Sequence, residues 1–202
     1  MPAVLVPRER IRRWVENFEG SHGASALRLA SGRLRGDAED GSTFEAAAPF
    51  DRPVDAPTLE ALELASSPPD DWGILLVRKG GFAIARLAGE KVVESKVGQR
   101  HVQGRTKAGG QSQQRFARRR DNQARAAYEA AADHAARIIG GVALLVVGGD
   151  HTAVTTVLED TRLRGPAAGV VGAFLTVPDP RRAVLESAIR DACSVRIAVT
   201  NG

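Results

Sequence analysis

Residues 72–97, WGILLVRKGGFAIARLAGEKVVESKV, decide the fold that the sequence predicts. Three runs of strand-forming residues are separated by two short turns, Lys79-Gly80-Gly81 and Ala88-Gly89-Glu90. Glycine-containing turns of this length join neighbouring antiparallel strands. The stretch therefore predicts a three-stranded meander, with strands over residues 72–78, 82–87 and 91–97.

Helix and strand signals alternate after the meander. The longest is a helix over residues 112–139, whose apolar and alanine side chains recur on one stripe: Phe116, Ala124, Ala127, Tyr128, Ala131, Ala135 and Ile138. Further along we expect a strand over 142–147, a helix over 151–159, a strand or buried segment over 170–177, a helix over 179–192 and a closing strand over 194–200. This order predicts an α/β fold, in which helices pack on a mixed β-sheet.

The first 70 residues predict a smaller α+β region. We expect a helix over residues 7–18, strands over 26–30 and 43–48 joined by a polar loop, and a helix over 58–66. The clearest boundary in the chain is Ser67-Pro68-Pro69-Asp70-Asp71, where prolines interrupt the helical periodicity. We therefore expect an N-terminal α+β region over residues 1–70, packed on the main domain, and a main domain over residues 71–202.

Composition narrows the class of protein. The single cysteine of the 202 residues, Cys193, excludes an intramolecular disulfide and a cysteine-only zinc cluster. No apolar run approaches the roughly 18 residues of a membrane span. The charged start at Arg8, Glu9 and Arg10 has no signal-peptide pattern. We expect a cytoplasmic, monomeric protein that has no metal and no membrane partner.

The net charge of +4 conceals two oppositely charged segments. Residues 31–70 contain three basic and nine acidic residues, a net charge of −6, whereas residues 96–125 contain nine basic residues and one acidic residue, a net charge of +8. A local basic segment indicates a polyanionic partner, usually nucleic acid, although a solvated helix face in an arginine-rich chain is the alternative. Six of its side chains are candidates for sequence-independent contacts with RNA phosphates: Arg105, Lys107, Arg115, Arg118, Arg119 and Arg120.

The basic segment contains GRTKAGGQSQQRFARRR at residues 104–120, just where the long helix is predicted to begin. Gly109 and Gly110 permit backbone dihedrals and a close approach to a ligand that other residues forbid. Gln111 has no titratable proton, so it can orient a water or stabilise an oxyanion but cannot act as a general base. Ser112 is a candidate N-cap of the helix, whose positive end favours a phosphate-bearing substrate.

The string AGGQSQQRFARRR at residues 108–120 resembles the central domain of eukaryotic and archaeal class I peptide release factors, in which GGQ and RFARxR also open a long helix. It is also similar to the peptidyl-tRNA hydrolases of ribosome rescue and quality control, particularly a small actinobacterial-type branch of Vms-like release factors. The resemblance implies a ribonuclease H-like domain that hydrolyses the peptide–tRNA ester at the large ribosomal subunit. It implies catalytic roles for Gly109, Gly110 and Gln111, contacts with ribosomal RNA and peptidyl-tRNA, and no cofactor.

Two features separate this sequence from factors that read stop codons. Gly110-Gln111-Ser112-Gln113 also fits the looser pattern of the quality-control relatives, a glycine and a glutamine separated by two residues, so Gln113 is a second candidate for the functional glutamine. The register of the downstream RFARRR favours Gln111. Residues 1–70 match no codon-reading motif, which favours release from stalled complexes without codon recognition.

Two other function classes stay open at this point. A metal-dependent tRNA nuclease needs clustered carboxylates, for which Asp150, Glu159 and Asp160 are the candidates. A non-catalytic ribosome-binding factor would use the basic loop only to dock. Asp150 is also the expected N-cap of the helix over residues 151–159.

Overall fold

The computed structural model describes the backbone of residues 3–99 and 111–202, and the side chains of residues 3–98 and 125–202. The chain divides into two compact units, one formed by Met1–Pro69 with Ile189–Gly202 and one formed by Asp70–Ala188. The described strands are β1 (Val4–Val6), β2 (Ser25–Ala30), β3 (Arg33–Ala38), β4 (Thr43–Ala47), β5 (Trp72–Arg78), β6 (Gly81–Ala88), β7 (Lys91–Gln99), β8 (Leu145–Gly149) and β9 (Val195–Thr200). The described α-helices are α1 (Ile11–His22), α2 (Leu59–Ala65), α3 (Gln111–Ile139), α4 (His151–Leu158), α5 (Arg164–Ala168) and α6 (Arg182–Ala192).

The first unit is built on a five-stranded antiparallel sheet with the order β1-β9-β4-β3-β2. β9 lies between β1 and β4, so that Ile197 is paired with Val4 on one side and with Ala46 on the other. This corrects the predicted main domain of residues 71–202, which placed the closing strand in the main sheet. Val195 and Ile197 are instead buried in the core of the first unit, and periodicity alone does not tell which of two sheets a strand completes.

β3 occupies part of the segment that was predicted as a polar loop. Its outward side chains pair across the strands, with Asp37 lying 2.5 Å from Arg28 of β2. On the other side Arg33 lies 3.0 Å from Glu45 of β4. Leu34 faces the opposite way and is fully buried. The side chains of the segment therefore alternate between the two faces of the sheet, as in a strand. The segment was predicted as a loop because its exposed side chains are charged, and these charges are paired across the strands.

The helices α1 and α2 pack with the apolar face of this sheet in one core. α1 contributes Ile11, Val15 and Phe18, which are all buried. The Phe44 ring of β4 meets the Phe18 ring edge-on, with centroids 5.2 Å apart. Gly36 of β3 leaves room for the Phe44 ring, because a Cβ at Gly36 would lie 2.2 Å from it.

The second unit contains a four-stranded mixed sheet with the order β7-β6-β5-β8. β5, β6 and β7 form the antiparallel meander that the sequence predicted, and β8 runs parallel to β5. The described chain is therefore an α/β protein with a mixed sheet, as expected. β8 begins at Leu145, later than predicted, because the chain first turns after α3, where the Val142 amide donates to the Ile139 carbonyl.

Residues 170–177, predicted as a strand or a buried segment, form no strand of their own. They contact β8 through two isolated parallel bridges, Leu145 with Val170 and Gly148 with Leu175. A glycine occupies the second bridge because a Cβ at Gly148 would lie 2.5 Å from the Leu175 carbonyl oxygen. The segment thus covers the outer edge of the sheet beside β8.

α3 has 29 residues, which correspond to about 43 Å at 1.5 Å per residue. Among its described side chains the predicted stripe is confirmed at Ala127, Ala131, Ala135 and Ile138, all of them buried. These side chains share one core with Leu75 of β5 and Ile84 of β6. Phe116 and Ala124 of the same stripe lie outside the described side chains. Within the described residues no helix combines the length and the apolar character needed to cross a bilayer.

We expect Gly36→Ala to destabilise the first unit by about 1–3 kcal/mol, because the added Cβ has no room beside the buried Phe44 ring. Gly20→Ala is the matched control, since this helical glycine has no atom within 4 Å of the added Cβ and alanine favours helix. Urea unfolding of both variants measures the difference. Equal stability of the two variants would contradict the packing described for Gly36.

Candidate functional site

The GGQ string, residues 109–111, follows β7, which ends at Gln99. Its glutamine, Gln111, is the first residue of α3. Gln111 and Gln113, the two candidates for the functional glutamine, both lie in the first turn of α3. The other predicted catalytic residues, Gly109 and Gly110, lie outside the described residues, as do Arg105 and Lys107. Arg115, Arg118, Arg119 and Arg120 lie on α3, in the part whose side chains are not described.

α3 begins one residue earlier than predicted. Ser112, the expected N-cap, is therefore the second residue of the helix rather than the residue before it. The backbone amides of the first four residues of a helix have no acceptor within the helix. The amide of Gln111 belongs to this set.

The C-terminal part of α3 fixes the helix to the second unit. Gln111 starts about 24 Å along the helix axis from Ala127, at 1.5 Å per residue. Ala127 is the first residue of α3 that is buried among the described side chains. Tyr128 packs partly against the same core, and its burial and the negative charge of Asp150 raise the pKa of Tyr128. The motif is thus at one end of a helix whose other end is held by packing.

The strand that leads into the motif is held by an aromatic ring. Gly98 of β7 is paired with Phe82 of β6, and a Cβ at Gly98 would lie 2.5 Å from the Phe82 ring. The Phe82 ring also lies beside His134 of α3, with centroids 5.6 Å apart. Sequence reasoning missed this contact, because the predicted strand ended at residue 97. A glycine opposite an aromatic residue on the neighbouring strand was the available signal.

Three arginines on or next to the described part of α3 are paired with carboxylates. Arg137 of α3 pairs with Glu94 of β7, and Arg162 lies 2.7 Å from Asp133 of α3. Arg125 lies 3.3 Å from Glu129, one turn along the same helix. Residues 111–124, in contrast, contain four arginines and a single acidic residue, Asp121. The uncompensated positive charge in the sequence of α3 is therefore concentrated beside the motif.

The three carboxylates considered for a nuclease are not brought together. Asp150 precedes α4, and its side chain accepts a hydrogen bond of 2.9 Å from the Ala153 amide, which confirms the predicted N-cap. Glu159 and Asp160 follow the other end of α4, roughly 13 Å away at 1.5 Å per residue. Arg162 binds Asp160 and lowers its pKa to about 2. Among the described residues no group of three or more His, Cys, Asp or Glu side chains could hold a metal ion.

The sequence of residues 70–198 matches the family described as the actinobacteria/chloroflexi VLRF1 release factor. The chain belongs to this VLRF1 release-factor family. The matched residues include the GGQ string and all of α3, and the match confirms the resemblance to Vms-like release factors. Membership of the VLRF1 family places the chain among release factors.

Solved structures of three proteins are similar to this VLRF1-family chain. An archaeal translation termination factor, aRF1, has 14% identity, a TM-score of 0.45, and coverage of 79% of this chain and 47% of its own. The Vms1 mitochondrial localization core has 13% identity and a TM-score of 0.46, and the match covers 93% of this chain and 81% of the Vms1 core. Pelota of Archaeoglobus fulgidus has 12% identity and a TM-score of 0.30, and the match covers 84% of this chain and 49% of Pelota. The chain thus spans about half the length of aRF1 and of Pelota. No curated protein matches the sequence.

We expect Arg162→Ala to raise the pKa of Asp160 from about 2 toward its ordinary 3.8, because the side-chain hydrogen bond of Arg162 is the largest cause of the shift. The rise stays partial, since the backbone amide of residue 162 still donates to Asp160. A pKa that is lowered by folding means that the pair stabilises the fold above pH 4 or so, and that this contribution is lost as the pH falls toward 2.

Carboxyl ¹³C NMR titration of Asp160 measures this shift. Arg181→Ala, at an exposed position of the same unit, is the control and should leave the pKa of Asp160 unchanged. An Asp160 titration that is the same in the wild type and in Arg162→Ala would contradict the assigned pair.

Proposed function

We propose that this protein is a codon-independent peptidyl-tRNA hydrolase, which releases nascent chains from stalled large ribosomal subunits. The observation that supports the proposal most is the location of Gln111, which directly follows Gly109-Gly110 and is the first residue of α3. The resemblance of the string to release-factor sequences gives this location its chemical meaning.

The reaction is hydrolysis of the ester that joins the peptide to the terminal ribose of the tRNA. Water attacks the carbonyl carbon and loses a proton, and the carbonyl oxygen becomes an oxyanion. When the carbonyl re-forms, the bond to the ribose oxygen breaks, and that oxygen takes up a proton to leave as a hydroxyl. Gln111 has no titratable proton, so its side chain positions the water and does not remove its proton. Its backbone amide is among the first four of the helix, which have no acceptor within the helix, so it can donate to the oxyanion, and the positive end of the helix favours that charge.

Binding to the ribosomal complex is assigned to the arginines next to the motif. Arg115, Arg118, Arg119 and Arg120 follow Gln111 within ten residues. Contacts with phosphates fix the register of a protein on RNA without reading its sequence. Such contacts suit a factor that acts on stalled complexes whatever codon they hold.

Residues 1–70 support release without codon recognition. They contain no motif of the codon-reading type, and residues 31–70 have a net charge of −6. Like charges across an interface cost several kcal/mol and exclude wrong partners. We therefore expect this acidic segment to face away from ribosomal RNA.

Gln111→Ala is expected to abolish release, because the substitution removes the group that positions the water. Binding should be unchanged, because the substitution removes no positive charge. The assay uses large subunits that carry a stalled peptidyl-tRNA and follows the peptide–tRNA ester on a gel. Gln114→Ala, a glutamine of the same helical turn outside the motif, is the matched control and should release normally.

Each other outcome of this assay has its own meaning. If Gln111→Ala releases peptide and Gln113→Ala does not, Gln113 is the functional glutamine. A shortened tRNA with an intact ester would identify a nuclease. Binding of the wild type without any reaction would contradict the hydrolase and leave a docking factor.

Replacing Arg118, Arg119 and Arg120 together by alanine should weaken binding to the subunits and should lower the slope of log K against log salt by about 2–3, since each lost phosphate contact removes about 0.7–0.9. The double variant Arg137→Ala with Arg162→Ala is the matched control, because both side chains are already paired with carboxylates. Filter binding at several KCl concentrations measures both slopes. The same slope for the triple variant as for the wild type would exclude this docking face.

A further inference from the structure

Two stacked aromatic rings lie at the carboxyl end of β8. The centroids of the His151 and Phe174 rings are 3.6 Å apart, and their planes are inclined by 18°. Phe174 packs partly against the core of the second unit, whereas His151, the first residue of α4, is exposed. Phe174 thus covers one face of the His151 ring, and His151 remains accessible to a ligand.

The helix that begins at His151, α4, packs against α3. Val154 of α4 lies in the same core as Ala131 of α3, and Tyr128 of α3 packs partly against that core. Tyr128 is also less than one turn from Arg125, the last residue of the basic segment. The stacked pair and the basic segment thus lie on parts of the second unit that α3 connects.

The other aromatic side chains described for the second unit are buried or half-buried, whereas His151 is exposed. Among the Phe, Trp and Tyr side chains described for the second unit, Trp72 and Phe82 are buried, and only Tyr128 and Phe174 are half-buried. Asp150 adds a negative charge here, but its carboxylate accepts the Ala153 amide and caps α4. A flat π surface on the same unit as the basic residues of α3 suits a flat ligand that carries phosphate.

We propose that His151 and Phe174 form a stacking platform for an unpaired RNA nucleobase of the ribosomal complex. The inference rests on the proposed function only in that the RNA belongs to the complex on which the protein acts. Stacking is sequence-tolerant because every base has a π face, and it adds affinity without adding a phosphate contact. The platform and the arginines of α3 therefore contribute to binding in two separable ways.

His151→Ala should weaken binding to large subunits carrying peptidyl-tRNA by about 5- to 100-fold, the range expected for loss of one base–aromatic stack. The slope of log K against log salt should not change, because stacking releases no counterions from the phosphates. His151→Tyr should restore the affinity, since tyrosine keeps a flat ring and has no cationic form. Thr155→Ala, at an exposed position one turn along α4, is the matched control and should bind normally.

The experiment measures affinity with the full chain at several KCl concentrations, and dimethyl sulfate probes base reactivity in the bound complexes. Phe174→Leu is a second variant, which keeps apolar bulk but removes the supporting ring, and it should reproduce the loss. A base that is protected by the wild type and reactive with His151→Ala would identify the occupant. Wild-type affinity of both variants would overturn the proposal.

Two further outcomes would also overturn it. A loss of affinity with a lowered salt slope and no rescue by tyrosine would make His151 a phosphate contact. A loss without any change in base reactivity would assign the platform to a protein partner. Because binding is measured without turnover, a failure of hydrolysis would count against the proposed function and would leave this test intact.

Discussion

The packing of the C-terminal part of α3 on the second sheet is the constraint on which the rest of the site depends. Ala131 and Ala135 are fully buried in one core with β5 and β6, and alanine has no side-chain rotamers to change. Gly73 of β5 permits the close approach, because a Cβ there would lie 2.9 Å from Ile139. A helix carries its axis direction along its length. The direction in which Gln111 lies from the sheet therefore follows from contacts about 24 Å or more away.

The same helix separates the charge that is neutralised within the fold from the charge that remains for a partner. Arg137 is paired with Glu94, and Asp133 with Arg162. Exposed pairs of this kind contribute little to stability, so their main effect is to neutralise the surface near the core. The four arginines beside the motif have one acidic residue, Asp121, within residues 111–124. Attraction for phosphate is thereby strongest at the end of α3 that carries the proposed chemistry.

Local signals predicted the elements whose partners are close in sequence. The turns after Arg78 and Ala88 join consecutive strands, and the alanine stripe of α3 repeats at helical spacing, so both were visible without a structure. β9 was assigned to the wrong sheet because its partner β4 lies far earlier in the chain, and apolar alternation carries no information about that distance. β3 was missed because cross-strand ion pairs satisfy its polar side chains. The GGQ string was found because its residues are contiguous, whereas the stacking of His151 on Phe174 depends on a tertiary contact.

A glutamine that cannot remove a proton makes a specific demand on the fold around it. Under the proposed function its contribution is positional, so the reaction rate depends on how well the water and the ester are held relative to each other. Rigid packing of α3 supplies that order on the protein side, and phosphate contacts by neighbouring arginines would supply it on the RNA side. Proton transfer must then come from the bound complex. This ties the chemistry to the docked state and gives a physical reason for the sequence to carry the binding residues and the functional glutamine on one helix.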